Sequence, residues 1–143
     1  MKCFIRLIFI VQILFLNPNQ FLFPFQNPSF PIQKSDFKDK YSEYFKQGKN
    51  FKLQGNYEKS IQCFIKAFNL AQENNDTENE VLSLIQLGVL YWNIGQLDKS
   101  FDSYHEALSL AEKGGISKKK EEVLSYLQIY ELYQAGKDHR SRR

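Results

Sequence analysis

Residues 87–108 read LGVLYWNIGQLDKSFDSYHEAL, and residues 47–68 read QGKNFKLQGNYEKSIQCFIKAF. Laid over one another at a shift of forty, they place Gly48 on Gly88, Gly55 on Gly95, Lys59 on Lys99, Ser60 on Ser100 and Ala67 on Ala107. The agreement continues outward to Leu70 over Leu110 and Ala71 over Ala111, and the substitutions between keep their chemical kind, as in Phe51 over Tyr91 and Phe64 over Tyr104. Self-similarity at this period marks a stacked repeat, in which each unit buries its apolar face only against its neighbours.

Within each copy the apolar spacing is helical. From Ser35 onward Phe37, Tyr41, Tyr44, Phe45 and Phe51 recur at threes and fours, which predicts a helix that ends near Gln54. Gly55-Asn56 then supplies the left-handed backbone of a tight helix-to-helix turn, and a second helix follows over Tyr57 to Gln72. Gly48 and Ala67 let the two antiparallel backbones approach, with Phe51 and Phe64 filling the space beside them. The second copy repeats the pattern. Thr77 with Glu80 reads as a capping box, the first helix carries Leu84, Leu87, Gly88, Tyr91 and Trp92 to Gly95, and the second carries Tyr104 and Ala107 to Gly114-Gly115. A third copy opens with Ser117 as N-cap and Glu121 and Glu122 in the first turn. Its helix is expected to stop near Gln134, with Ala135-Gly136-Lys137-Asp138 echoing the turn at Gly55, and the partner helix is absent. That last helix carries apolar side chains all round, from Val123 to Tyr133.

These residues resemble the tetratricopeptide repeat: Leu87-Gly88-x-x-Tyr91, Gly95 and Tyr104-x-x-Ala107 in one copy, Gln47-Gly48-x-x-Phe51, Gly55 and Phe64-x-x-Ala67 in the other. Ser60 and Ser100 stand where the family has a small alanine, and no proline closes either unit. The forty-residue period exceeds the usual 34 and resembles the longer-helix subgroup found in kinesin light chains and in scaffold proteins of spindle orientation. The resemblance implies an all-α fold of tandem antiparallel helix pairs stacked as a short right-handed α-solenoid, with repeat 1 over about 37–74, repeat 2 over about 77–114 and a partial repeat 3 over about 117–136. It implies a non-enzymatic interaction module in which the first helix of each pair lines a concave groove for a peptide or helix of a protein partner. Carried over by register, the groove positions are Ser42, Phe45, Lys49 and Lys52 in the first copy and Leu82, Ile85, Val89 and Trp92 in the second: an apolar groove with a basic edge. Trp92 is its expected energetic centre, unless Trp92 and Ile85 pack against the third copy instead. Phe45 and Val89 break the Lys and Asn clamp with which some relatives hold a chaperone's C-terminal carboxylate, so that ligand is not expected. The alternatives are a structural or self-assembling fragment of a longer array, associating through residues 123–133, and a regulatory segment of a larger protein.

Composition separates the first 34 residues from the rest. All four prolines and seven of the thirteen phenylalanines lie before residue 32. Lys2 and the apolar run from Leu7 to Leu16 resemble the start of a secretory signal, but no Ala, Gly or Ser precedes Ser29 to form a cleavage site. The run is also too short to span a bilayer, which takes about 20 apolar residues. A signal or uncleaved anchor, an apolar arm of a cytosolic protein and a mis-assigned start all remain open. The sequence does not fix a location: a cytoplasmic one is favoured, with secretion or membrane tethering through residues 1–16 as the alternative. On the secretory route Asn75-Asp76-Thr77 would be a glycosylation acceptor.

A net charge of +3, with basic residues dense only in the tail over 137–143, does not make a nucleic-acid footprint. Cys3 and Cys63 have no disulfide framework or metal spacing around them, and Cys63 reads as a small core residue. His105 and His139, the only histidines, lack partners at ligand spacing. No phosphate-cradling loop, nucleophile elbow or paired acid and base is present. Catalysis, cofactors and metals are therefore not expected.

Overall fold

A computed structural model describes residues 34–141 of the chain. The leader through Gln33, and Arg142 and Arg143 of the basic tail, lie outside the described residues.

Five helices follow one another: α1 (Lys34–Leu53), α2 (Tyr57–Glu73), α3 (Thr77–Asn93), α4 (Leu97–Lys113) and α5 (Ser117–Ser141). They are all-α and pack pairwise along the chain, α1 on α2, α2 on α3, α3 on α4 and α4 on α5, as a tetratricopeptide-like solenoid does.

The turns set this regularity. Backbone of positive φ occurs at Gly55, Asn75, Gly95 and Gly115, twenty residues apart each time. At each one the next amide reaches back to close a Schellman motif: Asn56 to the carbonyl of Phe51, Asp76 to Ala71, Gln96 to Tyr91 and Ile116 to Ala111, all at 2.9 Å. Three of the four positions are glycine, which enters the left-handed region without a Cβ penalty. Asparagine is the residue that tolerates it next best.

Capping differs from the sequence expectation by one residue. Asp76, not Thr77, caps α3, its side chain accepting from the Asn79 amide at 3.2 Å, and Asn56 does the same for α2 through the Lys59 amide. Ser117 is the first residue of α5 rather than its cap. The Lys120 amide bonds the Ile116 carbonyl, so Glu121 and Glu122 fall in the second turn. The larger difference is at the far end, where α5 runs through Ala135-Gly136 to Ser141. A further step of twenty puts the left-handed position on Ala135, where a Cβ costs about 1–2 kcal/mol. Gly136 within a helix costs only about 1 kcal/mol, so the helix continues.

The core is centred on α3, in which Val81, Leu84, Ile85, Leu87 and Leu90 are all buried. A helix enclosed on several sides must be apolar on several faces, and α3 has α2 on one side and α4 on the other. Phe64 from α2, Tyr104, Ala107 and Ala111 from α4, and Val123 and Leu127 from α5 complete this cluster. Phe37, Tyr41, Ala67 and Ala71 form a second one between α1 and α2. Gly48 and Gly88 sit where the pairs cross. A Cβ on Gly48 would stand 2.8 Å from the Phe64 ring, and one on Gly88 would stand 2.6 Å from the Tyr104 ring. The identities Ser60 and Ser100 fasten the same crossings, their hydroxyls donating to the carbonyls of Gly48 and Gly88 at 2.8 Å. Here the serine replaces alanine with no loss, because its buried hydroxyl is satisfied.

Candidate functional site

The first helix of each pair, α1, α3 and α5, is held to the next by side chains. Tyr41 Oη donates to the Asn79 carbonyl at 3.1 Å and lies 3.2 Å from Ser83 Oγ, while Lys52 Nζ donates to Gln86 Oε1 at 3.2 Å. Burial pushes the Tyr41 hydroxyl up to about 12, partly offset by Ser83, so it stays protonated and able to donate across neutral pH. Between α3 and α5 the link is aromatic. Trp92 meets Tyr130 and Tyr133 edge-on at centroid distances of 6.3 and 5.2 Å, and beside them Tyr104 of α4 stacks on Tyr126 of α5 at 4.9 Å with an interplanar angle of 4°.

Two clefts open among these helices. One, of 460 Å³, is lined by Tyr41, Ser42, Phe45, Lys46, Lys49, Asn50 and Leu53 of α1 and by Leu82 of α3. The other, of 170 Å³, is lined by Val89 and Trp92 of α3, Tyr126 and Ile129 of α5, and Tyr104 of α4. They stand at matching levels, since Lys49, Val89 and Ile129 are separated by the forty-residue step.

Most of the groove positions read from the sequence line these clefts: Phe45, Lys49 and Leu82 in the first, Val89 and Trp92 in the second. Lys52 lines neither cleft; it is half-buried and bonded to Gln86, and its ammonium titrates below the usual lysine range because of burial and, secondarily, the charge of Lys49. Ile85 lines neither cleft. At 1 % exposure it belongs to the α3 core, and the surface position one residue on is taken by Gln86. Trp92 is half-buried against α5 and also lines a cleft, so the two readings of that residue describe two sides of one ring. The groove positions carried over by register do not include Lys46, Tyr126 or Ile129, although the last two fall in the apolar stretch from Val123 to Tyr133. Lys46 was recoverable as one turn after Ser42, and Ile129 by carrying Val89 forward one further repeat.

The packing positions are placed as follows. Phe64, Ala67, Tyr104 and Ala107 are buried. Phe51 and Tyr91 are half-buried beneath the ammonium groups of Lys59 and Lys99, at 5.6 and 5.5 Å from the ring centroids. Cys63 is buried, and His105 is exposed with its ring against Phe101. Among the described residues no group of His, Cys, Asp or Glu is arranged to hold a metal ion, and no helix is long and apolar enough to cross a membrane.

Residues 44–113 match the tetratricopeptide repeat family. The chain carries a tetratricopeptide repeat domain. Neither a curated protein nor a solved structure matches the chain. Tetratricopeptide domains are protein–protein interaction scaffolds and generally non-enzymatic, and the matched segment runs from Tyr44, midway along α1, through α2 and α3 to the end of α4.

Proposed function

We propose that this tetratricopeptide domain binds a peptide or helix of another protein in the groove lined by α1, α3 and α5. The observation that supports it is the pair of level-matched clefts on the first-of-pair helices, with large apolar side chains left in water at their rims: Leu53 is 85 % exposed and Ile129 54 %. Scattered exposed leucines mean little, but apolar side chains grouped around concave, partly desolvated pockets are the usual setting of anchor residues. The period of forty suits the longer-helix subgroup of the family, and membership of it is part of the same proposal.

The test is a peptide display selection on the full chain, followed by Val89→Arg. Val89 is half-buried at the cleft, so an arginine can direct its head outward while occupying the pocket. Selected peptides should lose binding to this variant while its helical circular dichroism is unchanged. Retention of binding would remove the groove from the argument.

A second reading is supported by α5, where Leu124, Leu132 and Tyr133 are also exposed: association of two copies through residues 123–133. A specific interface takes about 800 Å² per partner, more than these few side chains supply alone, so the groove reading is preferred. Light scattering across a concentration range separates the two, a concentration-independent monomer mass opposing self-association.

A further inference from the structure

The longest helix has the least of itself buried. Among the described side chains of α5, a helix of 25 residues, only Val123 and Leu127 are buried, whereas the 17 residues of α3 include eight that are. A terminal helix of a stacked array has neighbours on one side only. Ring contacts supply the rest of its attachment: Tyr130 and Tyr133 on Trp92, Tyr130 on Phe101, and Tyr126 on Tyr104.

The junction of α5 with α4 also differs from the other turns. Gln54, Asn74 and Ile94 precede the left-handed positions at Gly55, Asn75 and Gly95, but Gly114 precedes Gly115. Two adjacent residues there lack the side chain that restricts φ and ψ, and hinges are made of a few such positions at the end of an element. Ile116 stands where Asn56 caps α2 and Asp76 caps α3, and it has no acceptor with which to do the same. The first turn of α5 has no acidic residue and carries Lys118, Lys119 and Lys120, whose charge opposes the positive end of the helix dipole. Lys119 pairs with Glu122 inside α5, and Lys120 pairs with Glu112 of α4 at 2.8 Å. Of these two pairs only the second crosses the junction, and its side chains are 43 % and 50 % exposed, where an ion pair adds little.

We propose that α5 is a hinged strap, which undocks from α3 and α4 as one unit about Gly114-Gly115 while α1 to α4 stay folded. Undocking bares Trp92, Phe101 and Tyr104. It also takes away Tyr126 and Ile129, two of the five side chains that line the smaller cleft, so that cleft exists only in the docked state. This holds whatever the groove binds.

Native-state hydrogen exchange on the full chain, resolved by residue over a series of low urea concentrations, tests the strap. Amides from Val123 to Tyr130 should share one protection factor, at least about a hundredfold below that of Val81 to Leu90 in α3. Lys118→Glu places an acid in the first turn at an exposed position and should raise protection in α5 about threefold to tenfold while α3 is unchanged. Val123→Ala should lower protection in α5 about tenfold or more, again without moving α3. Equal protection in α3 and α5, or variants that shift both alike, would mean that the helices open only together and would overturn the proposal. Protection that declines steadily toward Ser141, with Val123 and Leu127 as slow to exchange as α3, would replace the hinge by fraying from the end.

Discussion

Gly88→Ala and Gly136→Ala are the same chemical change in two helices, and the structure gives them opposite signs. In α3 a Cβ on Gly88 would lie 2.6 Å from Cε1 of Tyr104, 2.7 Å from Cζ and 2.9 Å from Cδ1. Carbon atoms in favourable contact sit at about 3.5–4.0 Å, so the ring or the helix must yield by close to 1 Å. The ring has little freedom to do so, being 3 % exposed and stacked flat on Tyr126. Overpacking of this kind costs about 1–3 kcal/mol, and the rigid ring argues for the upper part of that range. Against it stands the gain of about 1 kcal/mol from replacing glycine by alanine inside a helix. The net expectation for Gly88→Ala is a loss of about 1–2 kcal/mol. In α5 a Cβ on Gly136 meets nothing within 4 Å, so only the propensity gain applies and the variant should be stabilised by up to about 1 kcal/mol.

Because propensity is common to both, the difference between the variants isolates the helix crossing. Urea unfolding followed by circular dichroism and by Trp92 emission measures it, and the two probes also test whether the array unfolds as one unit. With a slope of about 1–3 kcal/mol per molar urea, the midpoint for Gly88→Ala should move down by roughly 1 M while the slope holds. Tyr104→Leu removes Cε1 and Cζ, so in the double variant the penalty of the alanine should shrink by about 1 kcal/mol, a non-additivity expected only for residues in contact. A Gly88→Ala protein as stable as its parent would refute the argument that the ring fixes how closely α3 and α4 approach.

Ser100→Ala removes the hydroxyl that bonds the Gly88 carbonyl at 2.8 Å in a fully buried position and should cost about 1 kcal/mol in chemical denaturation. Gly95→Ala puts a Cβ on backbone with φ of 76° and should cost about 1 kcal/mol from strain alone, whereas Asn75→Gly at φ of 54° should leave the melting temperature level or slightly raised. Glu80 is held above the usual carboxylate range by burial, then by the charges of Asp76 and Glu106, so the folded state binds its proton more tightly than the unfolded chain does. Its favourable contribution is complete below the ordinary value of 4.5 and is lost as pH rises through the raised folded value. Glu80→Gln should therefore melt above the parent at neutral pH and converge with it at low pH, and a variant less stable at neutral pH would mean that the carboxylate makes a net favourable contact.

The sequence showed most of the fold because both complete copies repeat the residues that meet at the crossings: a glycine on one helix, a ring and a serine on the next. It also located two of the left-handed turn positions, since Gly55 and Gly95 are themselves a repeat. It missed that Asn75 plays the same part, because asparagine in a polar connector looks like any loop residue. The end of α5 was misread for a related reason. Gly136 resembled a stop signal, yet the left-handed site fell on its neighbour Ala135, and one residue of register separates a turn from a continuing helix. Ile85 was assigned to the groove on a strict carry-over of spacing. An α-helix turns about 100° per residue, so position 85 faces the core while 82, 86 and 89 share the open side.

The groove is the part of the surface that the repeat does not prescribe. Where two copies agree, as at Gly48 and Gly88 or Ser60 and Ser100, the residues touch each other across a buried crossing, and any change costs stability. At the positions of the proposed groove the copies diverge in kind: Ser42, Leu82 and Glu122; Lys49, Val89 and Ile129; Lys52, Trp92 and Leu132. Turns spaced by twenty residues keep these positions level whatever side chains they carry, so chemistry can change from basic to aromatic along the groove without disturbing the stack. The third copy departs even at a crossing position, since Gln128 stands one step beyond Gly88 and is exposed. A helix could not approach α5 there as α4 approaches α3, because the glutamine side chain occupies the space a Tyr104-like ring would need. Exposed Leu124 and Leu132 lie four residues to either side of Gln128, so this face of α5 mixes polar and apolar side chains, while Ile129 continues the surface that α3 begins.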